Sequence, residues 1–326
     1  MANRHIIHRN NIKNLVIITG QQKSGKSILT KLITTFSEPI KVNIDFALDN
    51  MIQLLKNNFI NKSQFKNIFL LMIDNIFLNN CIGRNLNLKK NEESSIWSTS
   101  KPRFYLKKIN SIINKVKLRK IIKKENEFYL TLHNFLEFKE LSVNPIKKIK
   151  IIYIIPNPID QIYKLYKSKK FITAGEASDR SIFYNYKDKM IFNDVYGYEK
   201  KYLQSTRIGK ILLIKDIYDK ADLQSLKKKN KNIKIMVLNY DEVVKNLNFY
   251  SNKISKFLNK DSSARTKKLI KSTEIKLRIK DCSHSRLEKK RNYLLSKIKK
   301  KYEQDLFKKI LTNSKKINDY TKNFSK

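Results

Sequence analysis

The sequence predicts an α/β fold in three layers: a doubly wound parallel sheet with helices on both faces and a basic helix at the C-terminal end. Two observations carry this. Short apolar, β-branched runs recur at 15–19, 148–155 and 233–238, the pattern of strands buried on both faces. Each run stops at a turn or cap residue and is followed by apolar residues at helical spacing, the alternation that builds parallel sheets.

Leu15, Val16, Ile17, Ile18 and Thr19 form the first run, and Gly20 ends it. Ile28, Leu29, Leu32, Ile33 and Phe36 then recur at helical intervals, which predicts a helix from Lys26. Residues 39–44 read as the next strand. Residues 50–80 are apolar without Gly or Pro and read as helix, 81–104 as loop, and 105–141 as Lys-rich helix. The run at 148–155 closes at Pro156, and a helix continues to Tyr166 because proline is tolerated in a first helical turn. Residues 171–210 hold three of the six glycines and read as an irregular insertion. Short strands are expected at 211–214 and 233–238, a helix at 241–258, and an amphipathic Lys-rich helix over 285–318. The expected organisation is one domain, 1–326, with insertions at about 50–140 and 171–210 and a helical extension over 285–326.

The chain carries 70 Lys and Arg against 28 Asp and Glu, a formal charge of +42. Of these cations 59 are Lys, and 45 further residues are Ile; both have AT-only codons, so genome composition accounts for much of the bias. It does not account for the shortage of acid, which points to anionic partners. The lysine runs at 227–229 and 299–301 come without a nucleic-acid-binding motif and read as solvated helix faces, so nucleic acid is not the expected partner. Cys81 and Cys282 are the only cysteines, which excludes a disulfide framework and a Cys-based zinc site. His5 and His8 have no acid or Cys nearby to complete a metal site. The N-terminus lacks the apolar core of a signal peptide, and no apolar stretch spans a bilayer. The expected setting is cytoplasmic, with peripheral membrane contact left open.

Gly20-Gln-Gln-Lys23-Ser24-Gly25-Lys26-Ser27 fits the phosphate-loop pattern G-x-x-x-x-G-K-[ST] between a strand and a helix, which makes the sheet P-loop-type. The glycines let backbone N–H groups curl around a phosphate, and the helix N-terminus adds positive potential. Lysine supplies a point charge, and the hydroxyl reaches a phosphate oxygen or Mg²⁺.

Residues Gln22 to Ile28 resemble the loop of the sulfotransferase family, usually P-K-[ST]-G-T-T-x. The resemblance implies that Gln22, Lys23, Ser24, Gly25, Lys26 and Ser27 hold the 5′-phosphosulfate of 3′-phosphoadenylyl sulfate (PAPS), with Lys23 stabilising the leaving phosphate. Lys26 stands where the family has Thr and equally fits a kinase or NTPase using ATP and Mg²⁺. Lys150 to Tyr166 resembles the family's 3′-phosphate segment, strand then R-[ND]-P-x-D-x-x-x-S-x-Y. Asn157, Pro158, Asp160 and Tyr166 match; Pro156 replaces the Arg, and Lys164 replaces the Ser. The resemblance assigns the 3′-phosphate to Lys164 beside Asn157. Residues 233–259 resemble a late structural strand and helix of the family. The implied activity is sulfuryl transfer from PAPS to a hydroxyl acceptor such as a carbohydrate; the alternatives are a kinase or NTPase, and a nucleotide-binding protein without chemistry.

Such transfer needs a group to take the acceptor's proton. His133, 23 positions before Pro156, is one candidate, and Asp45, with Asp49 close by, is the other; each also reads as an ordinary surface or helix-capping residue. Asp74, at the end of an apolar run, would serve Mg²⁺ if the run were a strand, but the run continues without a turn and favours helix. Ser283, His284, Ser285 and Arg286 read as a cap for the last helix, with a late phosphate contact as the alternative.

Overall fold

The computed structural model describes residues 11–90, 92–125, 127–138, 146–168, 182–228 and 232–323; His5 and His8 lie outside them. The first elements are β1 (Asn14–Gly20), α1 (Lys26–Thr34), β2 (Val42–Ile44), α2 (Phe46–Lys56), α3 (Lys62–Cys81), α4 (Pro102–Ile109), α5 (Lys115–Lys124) and β3 (Glu127–His133). Next come β4 (Lys148–Ile155), α6 (Pro158–Lys167), a hairpin of β5 (Phe183–Tyr186) and β6 (Lys189–Phe192), α7 (Glu199–Gln204) and α8 (Arg207–Lys227). The remainder is β7 (Ile233–Asn239), α9 (Tyr240–Lys245), α10 (Leu247–Leu258), α11 (Ala264–Ile270), α12 (Thr273–Asp281), α13 (His284–Lys297) and α14 (Lys301–Asn323).

The five long-range strands run parallel in the order β2-β3-β1-β4-β7, with β1 at the centre. β1 alternates perfectly between the two faces. Leu15 and Ile17 pack with α2, α3 and part of α8, whereas Val16 and Ile18 pack with α1, α9 and α10. This is the three-layer α/β arrangement that the apolar runs predict. A third apolar cluster joins α6, the β5–β6 hairpin, α8, α13 and α14.

Several elements differ from the sequence reading. The stretch 105–141 is not continuous helix, because it contains β3, a strand next to β1. Phe128, Tyr129, Leu130 and Leu132 are all buried, so β3 shows no alternation, and no Gly or Pro marks its start. Residues 211–214 belong to α8 rather than to a strand. That helix is buried around much of its circumference, so its apolar run lacks helical periodicity. The apolar segment 50–80 divides into α2 and α3, where Asn58 adopts φ 60° and Asn61 begins a capping box with Gln64. Asn246 divides α9 from α10, and residues 298–300 separate α13 from α14. Ser283 stands at the start of α13 without a side-chain cap, and Arg286 pairs with Asp281 instead. Asp74 lies within α3, bonded to Asn11. No described helix is long and apolar enough to cross a membrane.

Candidate functional site

The glycine loop leaves the carboxyl end of the central strand, where open α/β sheets place their ligands. Two glycines are fixed by close approach. A Cβ on Gly20 would lie 2.6 Å from the Ile154 carbonyl oxygen. Gly25, at φ 91°, is the first cap residue of α1, and a Cβ there would lie 2.2 Å from the Tyr240 ring. Lys23 also takes a left-handed conformation, φ 60°, and is exposed at the turn. Ser24 is buried, and its Oγ has no hydrogen-bond partner among the described residues.

Lys26 turns back into the loop, donating to the carbonyls of Gly20 and Gln21, each at 2.8 Å. Burial pushes its pKa down to about 7, against the opposing pull of Asp49, Glu93 and Asp222. An arriving anion would favour its charged form. The unsatisfied Ser24 hydroxyl, the folded-back Lys26 and the left-handed Gly25 together fit a phosphate group.

Sequence reasoning missed the groups that surround Ser27. Arg278 of α12 approaches the Ser27 hydroxyl at 3.4 Å and the Tyr240 hydroxyl at 3.3 Å. Glu274 holds Arg278 at 2.8 Å and Lys31 of α1 at 2.9 Å. Glu93 shares a hydrogen bond with Ser27; burial raises its pKa, although Lys31 and Arg278 oppose the shift. Arg278 lies 251 positions from Ser27, and no local motif announces the contact.

His133 ends β3 directly beside Gly20 in the parallel register. Its Nδ1 lies 2.8 Å from Asp49 Oδ2, and its backbone N–H donates to Asp49 Oδ1 at 2.7 Å. Asp49 is in the first turn of α2. The structure thus places His133 at a strand terminus, not on a helix surface. Asp45 is the N-cap of α2 and accepts from the backbone N–H groups of Ala47 and Leu48, a helix-capping role.

On the other side of β1, Asn157 caps α6 through Ile159 and Asp160 and donates to Asp241 at 2.7 Å. Lys164 pairs with Asp160 at 2.6 Å and lies 5.8 Å from the centre of the Tyr240 ring. Burial lowers its pKa, but Asp160 outweighs this and the net shift is upward. Asp160 also holds Lys290 of α13, at 2.5 Å. Tyr240 therefore lies between Gly25, Arg278 and Lys164.

Beneath the loop is a buried polar network. Gln21 donates to Asp219 at 2.9 Å and Asp222 at 2.6 Å, and accepts from Lys215 at 2.9 Å. Lys215, Asp219 and Asp222 line one face of α8, and Lys215 pairs with Asp219. Tyr153 of β4 donates to Asp222, and Gln161 of α6 donates to the Gln22 carbonyl at 2.6 Å. Three elements thereby fix the start of the loop.

No family model matches the chain, and no curated protein matches it. Among solved structures it is similar to the sulfotransferase domain of the olefin synthase from Synechococcus PCC 7002. Identity is 9%, coverage is 97% of this chain and 98% of that one, and the TM-score is 0.40.

Proposed function

We propose that this chain is a PAPS-dependent, sulfotransferase-like enzyme acting on a hydroxyl acceptor such as a carbohydrate. The observation that carries the reading is the carboxyl end of the sheet. There the phosphate-type loop ends β1, the Asp49–His133 pair ends β3, and Asn157 and Lys164 follow β4. The loop amides, Ser24 and Ser27 are suited to the 5′-phosphate, and Lys164 is the cation available for a 3′-phosphate. PAPS supplies the activated sulfuryl group: its bridging S–O bond breaks as the acceptor oxygen bonds to sulfur, and 3′,5′-ADP leaves. Lys23 and Lys26 offset the charge of the departing phosphate. Asp49 orients His133 so that Nε2 accepts the acceptor's proton.

Glu93 beside Ser27 favours a second reading, an ATP-dependent kinase or NTPase in which these two oxygens serve Mg²⁺ while Lys26 serves the β- and γ-phosphates. Calorimetry of the full chain distinguishes the two. The first reading expects 3′,5′-ADP to bind tightly without metal, and Lys164→Ala to weaken it far more than 5′-AMP. Mg²⁺-dependent binding of ATP alone would overturn it.

A further inference from the structure

The helical pair α4–α5 carries a surface that the catalytic reading does not use. Residues 94–124 contain no Asp or Glu, while Lys101, Arg103, Lys107, Lys108, Lys115, Lys117, Arg119, Lys120, Lys123 and Lys124 all fall within this stretch. Lys108 is buried against Glu125 at 2.6 Å; the other nine cations are exposed. α5 has no fully buried residue, although Leu118, Ile121 and Ile122 rest against the core. The inward face is thus accounted for, and the cations lie on what remains.

At the turn between the two helices and at the helix ends that flank it, the chain presents aliphatic side chains to solvent. Ile112 is 95% exposed, Val116 61% and Ile109 42%. Isolated exposed aliphatic residues need no explanation. Three within eight positions, in a stretch of chain rich in cations and free of acid, form a pattern. It couples two attractions that add at a bilayer interface: burial of apolar area among the acyl chains and attraction of basic residues to anionic headgroups.

We infer that the α4–α5 turn docks on an anionic membrane surface, with Ile112 entering the headgroup–acyl boundary and the exposed Lys and Arg of α5 lying against the headgroups. Charge complementarity and the aliphatic tip together select this occupant. Single-stranded nucleic acid would use the same cations but favours aromatic stacking platforms over isoleucine. α5 leads into the amino end of β3, whereas the glycine loop and His133 lie at the carboxyl end, so this surface is separate from the proposed active site. The inference does not rest on the reaction proposed for that site.

Vesicle co-sedimentation of the full chain tests it, with phosphatidylcholine alone and with phosphatidylcholine containing phosphatidylserine. The protein is expected to sediment with the second and not the first, and to be released by salt. Ile112→Ser should weaken binding about tenfold. Lys117→Gln, Arg119→Gln and Lys120→Gln together should weaken it roughly a hundredfold. Unchanged far-ultraviolet circular dichroism and melting show that the variants fold. Equal binding to both vesicles, binding to neither, or full binding by the folded variants would each overturn the inference. A single-stranded RNA oligomer that binds through the same residues, while vesicles do not, would reassign the surface and overturn it as well.

Discussion

The carboxylate of Asp49 engages His133 twice, receiving its backbone N–H at 2.7 Å and meeting Nδ1 at 2.8 Å. The first bond fixes the end of β3 relative to α2, and the second fixes the ring. With Nδ1–H directed at the carboxylate, Nε2 is left as the basic nitrogen. Asp49→Asn keeps an acceptor for the backbone bond but turns an amide N–H toward Nδ1, which reverses the tautomer. Under the proposed reaction, PAPS turnover should fall about a hundredfold or more while 3′,5′-ADP still binds. Asp45→Ala should instead cost about 1 kcal/mol of stability through the lost cap and leave turnover near normal. Equal losses of turnover in the two variants would dismiss the pair as a base.

Lys26 provides a pH signature. Its folded pKa is depressed to about 7 from 10.5, so between these values the unfolded chain holds the extra proton. Stability at this position therefore rises with pH across that window; the burden is full below about pH 7. An anion in the loop favours the charged amine, so 3′,5′-ADP binding near pH 8 should take up a proton. Calorimetry in buffers of different ionisation enthalpy measures this uptake. Lys26→Met should abolish it, and uptake unchanged in that variant would assign the proton elsewhere.

Gly25 meets two separate constraints, the left-handed φ of 91° and the Tyr240 ring against its Cα. Gly25→Ala should destabilise the chain by about 1–3 kcal/mol and weaken ligand binding. Tyr240→Ala in that background removes the steric contact and leaves the backbone strain, so it should recover only ligand binding in part. Full recovery of stability in a urea titration would show that the dihedral costs nothing.

The buried network under Gln21 predicts a strongly non-additive pair. Lys215→Met leaves Asp219 buried without its lysine and should cost about 3–5 kcal/mol. Adding Asp219→Leu removes the stranded charge and should restore a substantial part of the loss. Denaturant unfolding of the two single variants and the double variant reads this directly. Additive losses would mean that Lys215 and Asp219 do not act as a unit.

What the sequence disclosed follows from how locally each feature is encoded. β1, the glycine loop and α1 are contiguous, and their signals are a buried run, two glycines and a helical repeat, so all three are legible together. β3 follows directly on the lysine-rich helix α5, and its burial on both faces erases the alternation that marks a strand. Its aromatic and β-branched content, Phe128, Tyr129 and Thr131, was the usable clue. The Asp49–His133 pair was half legible, since both residues stand out but their meeting depends on the β1–β3 register. Arg278, Glu274 and the α8 network reach the loop across long separations, and only the packing of α8 and α12 reveals them.

Glu93 tests the choice between the two readings of the loop, because the same carboxylate is an obstacle in one and a ligand in the other. It lies partly buried against Ser27, held above its ordinary pKa by burial and facing Lys31 and Arg278. Beside a metal-free phosphosulfate group it contributes like-charge repulsion and withdraws the Ser27 hydroxyl. Glu93→Gln should then tighten 3′,5′-ADP severalfold, since a neutral amide removes the repulsion and releases that hydroxyl. If Ser27 and Glu93 instead serve Mg²⁺, the same substitution removes a hard oxygen ligand, and ATP binding should lose its metal dependence. Measuring both ligands on one variant, with and without Mg²⁺, separates the outcomes. Tighter 3′,5′-ADP supports sulfuryl transfer, and loss of Mg²⁺-dependent ATP binding supports phosphoryl transfer.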